Sequence, residues 1–167
     1  MSTVLIVGAS RGIGLETVRL TLNAGHSVRA LARSATSIRL HDPRLEKLDG
    51  DALDRQTIER AVVGVDAVIQ TLGVSPNPGH ILNGTRLFSE ATRILVDAME
   101  AKAVKRLISV TGLGAGDSRG HGGLLYSTAL WLFLGRVYAD KDVQEWIIRR
   151  SQKIAPPLSI RTHQRCP

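Results

Sequence analysis

The residues with the clearest chemical purpose in this chain form a turn. The segment "VLIVGASRGIG", residues 4–14, places three glycines, Gly8, Gly12 and Gly14, where an apolar strand gives way to a helix. The stretch beyond Gly14 has helical periodicity, so the glycines do not serve a hairpin. Their other use is close approach of the backbone to a large ligand, usually a phosphate. Gly8 would make the tight turn, Gly12 would admit a pyrophosphate to the backbone, and Gly14 would let helix and strand pack closely. Ser10, Arg11 and Ile13 fill the spaces between them and belong to the same phosphate-facing segment. The helix start adds N–H groups and partial positive charge. A glycine pattern alone says little, but one that closes a first strand and opens a helix is a dinucleotide-binding fingerprint.

The second strand selects the dinucleotide. NAD sites usually carry an acid about 20 residues beyond the glycines to bond the ribose 2′-hydroxyl. Here no acidic residue occurs from Thr17 to His41, and "LARS" puts Arg33 and Ser34 where that acid would stand. A carboxylate would repel a 2′-phosphate, whereas a guanidinium grips it bidentately. Arg11 brings a second positive charge. The expected cofactor is therefore NADP(H). Two later strand ends fit the same crevice. In "GDALD", Asp51 would accept from the adenine amino group and Ala52 would lie against the ring. In "TLGV", Leu72, Gly73 and Val74 would bring the backbone to the cofactor ribose.

Positioning such a ring of strand ends needs a particular scaffold. Short apolar runs alternate with amphipathic stretches from residue 3 to about 150. Strands are expected at 3–8, 27–33, 44–51, 66–73 and 104–112. Between them lie a helix with Leu15, Val18 and Leu22 on one face, ended by Gly25, and a helix capped by Asp54. Further helices are expected over 84–103 and about 124–151. This alternation predicts an α/β fold, a doubly wound (Rossmann) parallel sheet with helices on both faces and right-handed crossovers, in one domain.

Composition agrees. Of 167 residues 43% are hydrophobic and only 4% aromatic, which suits parallel strands buried on both faces by aliphatic side chains. The net charge of +7 is uneven: residues 1–145 hold 17 basic against 15 acidic side chains, and 146–167 hold five basic and none acidic. The body is nearly balanced and has no basic stripe with interleaved aromatics, which argues against nucleic acid. The lone Cys166 reads as a bystander thiol and suits a reducing cytoplasm. The start lacks a basic leader, and "LLYSTALWLFLG" is too short to span a bilayer, so no membrane role is expected. Core packing, a dimer face or the wall of a pocket for a planar apolar molecule would each suit that stretch, and the chain is expected to be a monomer or homodimer. The five histidines show no ligand spacing, so no metal site is expected, and no G-x-S-x-G elbow occurs.

In order, "VLIVGASRGIG", "LARS", "GDALD", "DAVIQTLG", "RLISVTG" and "KDVQEWIIRRS" resemble atypical short-chain dehydrogenase/reductase-like proteins. The likeness is to the single-domain NAD(P)H-binding group of biliverdin-IXβ/flavin reductase and the NmrA-like proteins, over residues 3 to about 151. Gly8-x3-Gly12-x-Gly14 has the spacing of ordinary short-chain dehydrogenases, where this group typically has GATGxxG. The resemblance implies a small-molecule substrate and three catalytic candidates. Thr111 ends the fifth strand, and Lys141, ten residues before Ser151, stands where the group has a Lys or His near the cofactor. Tyr138 and Lys141 are three apart, where the short-chain dehydrogenase Tyr-x3-Lys pair is four. Thr111 and Lys141 would orient the nicotinamide ribose and carboxamide while hydride passes from NADPH to a flavin, quinone or other conjugated acceptor. Two alternatives stay open: a non-catalytic NADP(H)-sensing protein, and a sugar-nucleotide epimerase or dehydratase. Residues 1–151 are then the NAD(P)-binding domain and 152–167 an atypical basic tail, with a frameshifted or truncated ending as one account of the tail.

Overall fold

A computed structural model describes residues 1–73, 86–110 and 140–151. In chain order these give β1 (Thr3–Val7), α1 (Gly12–Asn23), β2 (Ser27–Ala32), a 3-10 turn (Ala35–Ser37), β3 (Leu45–Asp49), α2 (Arg55–Val62) and β4 (Ala67–Gln70). Then come α3 (Leu87–Ala101), β5 (Leu107–Ser109) and a last helix, α4, over 140–150. The strands form one parallel sheet in the order β3-β2-β1-β4-β5. The chain winds outward from β1 to β3, then returns to the other side of β1 for β4 and β5. Strand order therefore reverses between β1 and β4, where doubly wound sheets bind ligands.

Alternation along the strands builds a core on each face. Leu5 and Val7 of β1 point to one side with Leu31 and Val68, against Ile58 and Val62 of α2, Leu95 and Met99 of α3 and Ile147 and Ile148 of α4. Val4 and Ile6 point to the other side with Val28 and Ala30, against Val18 and Leu22 of α1. Every residue of β1 beyond Thr3 is buried, as a strand covered on both faces requires.

Over the described residues the expected elements are present, the strands mostly shorter at their ends; residues 84–85, 111–112 and 124–139 of the expected elements lie outside the described residues. Val18 and Leu22 are buried and Leu15 half-buried on the inner face of α1. The α1 terminus closes with His26 N–H on the Thr21 carbonyl and Gly25 N–H on that of Leu22. Asp54 caps α2, accepting from the Gln56 and Thr57 N–H groups. The fourth strand ends at Gln70 rather than Gly73, because the chain turns away at the switch point after one more bond, Thr71 N–H to Val7 O. The fifth strand starts at Leu107 rather than Val104, because α3 ends in a left-handed Ala103 (φ 56°) whose turn occupies the approach. Among the described residues, no helix is long and apolar enough to cross a membrane. The stretch 124–135 and the tail 152–167 lie outside the described residues.

Candidate functional site

The turn after β1 is fixed from both sides. Gly8 and Ala9 donate their N–H groups to the Leu31 carbonyl of β2. The Thr71 hydroxyl, just past β4, donates to the Val7 and Gly8 carbonyls at 3.0 and 3.3 Å. The three glycines in this turn have separate reasons to lack a side chain. A Cβ on Gly14 would fall inside the Gly8 carbonyl and 2.7 Å from Thr71 Oγ1, so the start of α1 packs on the end of β1 with no room to spare. A Cβ on Gly8 would meet the Thr71 carbonyl at 2.8 Å. Gly12 differs: a Cβ there would meet nothing within 4 Å among the described residues, yet its φ is +56°. It gives the helix entry its left-handed step and leaves the space outside it open.

That space faces the start of α1, which carries no side-chain cap among the described residues. Arg11 stands in the N-cap position of α1, makes no side-chain capping bond, and no acid follows in the first turn. Arg11, Gly12 and Ile13 are exposed and Ser10 is half-buried. A helix start without a side-chain cap or a first-turn acid, at the positive end of the helix dipole, suits a pyrophosphate, so the residues present fit the phosphates of a dinucleotide.

The ends of the adjoining strands line up beside this cradle. Arg33 and Ser34 follow β2 directly, both exposed, and neither side chain takes a hydrogen bond or ion pair among the described residues. Asp51 and Ala52 follow β3. Asp51 is exposed and spends Oδ1 on the Leu53 N–H at 3.0 Å, while Ala52 is buried in the core with 8% of its surface left. Leu72, half-buried against the core, and the exposed Gly73 follow β4. The parallel sheet thus brings the glycine turn and the ends of β2, β3 and β4 to one edge. Val74, Thr111 and Tyr138 lie outside the described residues.

Lys141 is on α4, a helix held by buried polar contacts that no local sequence rule specifies. The buried Asp140 carboxylate accepts from the Phe88 and Ser89 N–H groups at 2.8 and 3.3 Å, capping α3 from another helix in place of Arg86, whose side chain makes no capping bond. One turn further on, Gln144 Nε2 donates to Ser109 Oγ at 2.9 Å and to Gln70 Oε1 at 3.2 Å. Gln70 Nε2 in turn donates to the Thr92 hydroxyl at 2.9 Å. This buried network ties α4 to the ends of β4 and β5, and Gln144 Oε1 is left without a partner among the described residues. Lys141 lies half-buried with its ammonium 4.5 Å from the centre of the Phe88 ring, a cation–π contact. Burial pushes its pKa below the usual lysine value, with the Glu145 charge pulling the other way. One hint of the network does stand in the sequence: Gln70 is the polar member of "AVIQ", and a buried strand rarely keeps an amide without partners.

Comparison with known proteins agrees with this geometry. A family model described as NAD(P)H-binding matches residues 8–153. A sterol demethylase protein B of Methylococcus capsulatus is 30% identical over 115 residues, covering 68% of this chain and 35% of that protein. An NAD(P)H azoreductase of Xenophilus azovorans is 29% identical over 113 residues, covering 67% of this chain and 36% of its own length. The chain spans only about a third of either protein. Among solved structures, the anaerobilin reductase ChuY of Escherichia coli O157:H7 superposes with a TM-score of 0.69 at 24% identity, covering 92% of this chain and 69% of that one. The oxidoreductase YlbE of Lactococcus lactis gives 0.72 at 16% identity, covering 91% and 65%. These two likenesses establish the Rossmann fold.

Proposed function

The chain belongs to the NAD(P)H-binding family, and from that premise we propose that it is an NADPH-dependent reductase acting on a flavin, quinone or other conjugated small molecule. The observation that carries the reading is the pairing of an open, uncapped cradle at Gly12 with an Arg33, one strand away, that has no partner among the described residues. A similar NAD(P)H azoreductase supports reduction as the reaction class. When bound, the nicotinamide supplies the hydride.

The chain's own residues bind, orient and exclude water. Gly8, Gly12 and Gly14, with Ser10, Arg11 and Ile13, hold the pyrophosphate against the start of α1. Arg33 and Ser34 grip the 2′-phosphate, with no carboxylate where an NAD site would carry one. Asp51 keeps Oδ2 for the adenine amino group, beside Ala52. Leu72, Gly73 and Val74 would bring the backbone to the cofactor ribose. Thr111 and Lys141 orient the nicotinamide end, the ammonium of Lys141 steadied by Phe88 and by the anchoring of α4. Tyr138, three residues before Lys141, is not required as an acid, because hydride transfer to a conjugated acceptor leaves a delocalised anion that takes its proton from water.

Fluorescence titration with NADPH and NADH, followed by NADPH oxidation across flavins and quinones, tests the reading. Tighter NADPH binding with turnover of at least one acceptor is expected. Equal affinities would remove the NADP assignment. Tight NADPH binding with no turnover on any acceptor would favour an NADP(H)-sensing role.

A further inference from the structure

The NADP-selective corner proposed above rests on a small turn, and the way that turn is held bears on selectivity. Its 3-10 segment, Ala35–Ser37, has Ser34 in the capping position, yet Ser34 makes no side-chain cap. The capping is done from the neighbouring strand. Asp49, the last residue of β3, accepts the Thr36 N–H on Oδ1 and the Thr36 hydroxyl on Oδ2, both at 2.9 Å. These bonds hold its carboxyl below the ordinary aspartate range, the Thr36 N–H first among them.

Asp49 is also paired in register with Ala32, the residue before Arg33. It is therefore an acid across the sheet from the neighbour of the arginine that must stay available to a phosphate. With both oxygens committed to Thr36, its charge is spent on donors of the turn, and no ion pair forms between it and Arg33. The rest of the turn is anchored to match. Ala35 and Ile38 are buried in the core, Gly50 N–H donates to the Ala32 carbonyl, and the Ser34 carbonyl takes both the N–H and the hydroxyl of Ser37. What remains exposed, with no side-chain partner among the described residues, is the pair Arg33 and Ser34.

We infer that Asp49 is a positioning residue for 2′-phosphate selectivity: by capping the turn in place of Ser34, and by turning its charge onto Thr36, it presents Ser34 and Arg33 to the phosphate. It touches no cofactor itself. The inference rests on the NADP reading, and the experiment separates the two. Kd is measured for NADPH and NADH, with 2′,5′-ADP and 5′-ADP as competitors lacking nicotinamide, on the parent, Asp49→Asn and Thr36→Val. Near-UV circular dichroism establishes that each is folded.

A parent that prefers NADPH, with Asp49→Asn weakening NADPH and 2′,5′-ADP by about two- to tenfold, the scale of one net hydrogen bond, is the expected result. NADH and 5′-ADP should stay within about twofold, since they carry no 2′-phosphate for the turn to serve. Thr36→Val should move NADPH in the same direction by less, because its N–H bond to Asp49 survives. A parent preference for NADPH that both variants retain overturns the inference and leaves the NADP reading standing. Equal loss of all four ligands marks a merely structural role and also overturns it. A parent without preference removes the reading and the inference together.

Discussion

Replacing Gly12 and Gly14 separately by alanine should split stability from binding. At position 14 the added methyl would enter the Gly8 carbonyl and lie 2.7 Å from Thr71 Oγ1. Neither neighbour can yield easily. The Gly8 carbonyl belongs to a turn held by two N–H bonds to Leu31, and the Thr71 hydroxyl is committed to Val7 and Gly8. Overpacking of a constrained site costs about 1–3 kcal/mol and sometimes more, and a site braced on both sides belongs at the upper end. For a chain of this size that corresponds to a fall in Tm of roughly 6–12 °C.

At position 12 the same methyl meets nothing within 4 Å among the described residues. Only the left-handed backbone is penalised, at about 1–2 kcal/mol for an L-residue. The methyl would instead occupy the space proposed for the pyrophosphate. Losing one strong charge-assisted contact, about 3 kcal/mol, weakens NADPH on the order of a hundredfold. Thermal unfolding of the apo proteins and NADPH titration well below both midpoints measure the two effects. Unfolding of Gly14→Ala within a degree or so of the parent would refute the packing constraint. Parent-like NADPH binding by Gly12→Ala would refute the site, since the phosphates would then lie elsewhere.

Arg33→Ala should cost NADPH about 1.5–3 kcal/mol of binding, a charge-assisted pair, and leave NADH nearly unchanged in the same titration. Lys141→Ala should weaken cofactor binding. In the parent, NADPH affinity should fall as pH rises through the lowered Lys141 value, below the ordinary 10.5, a dependence the variant should lack. Tyr138→Phe should leave turnover within a few-fold, whereas a general acid at 138 would cost about 10²–10⁴. Ala103→Gly should stabilise the fold by a few tenths to about 1 kcal/mol in urea, because relief of left-handed strain exceeds the added freedom of the unfolded chain. Asp42, Asp49 and Asp54 are held below their ordinary 3.8 chiefly by bonds from Arg44, Thr36 and Thr57 respectively. Just below 3.8 the unfolded chain binds more protons than the native one. Stability should therefore be full above that value and decline as pH falls through the lowered native ones, which acid titration of the unfolding midpoint measures.

The strand ends that ring the cradle were legible because each is set by local rules. A glycine that must be left-handed, an arginine standing where an acid is usual, and an aspartate that caps the next helix each act within a few residues of where they are written. Asp49 and Asp140 are illegible for the opposite reason. Each does a capping residue's work for an element distant in sequence: Asp49 for a turn 13 residues back, Asp140 for a helix start 52 residues away. In both, the residue at the local capping position makes no side-chain bond, Ser34 in one and Arg86 in the other. A local rule sees only a vacant cap there, and the vacancy is the informative feature. Helix and turn starts have orphan N–H groups that must be met by protein, water or ligand. Where a second element supplies the acceptor, as with Asp49 and Asp140, the uncapped start is a joint of the fold. At α1 neither a local cap nor an acid in the first turn supplies one, and that start lies beside the open side of Gly12. The same deficit that welds the other two elements to their neighbours leaves this third start, among the described residues, without a side-chain cap, and it is there that the proposed phosphate site has its room.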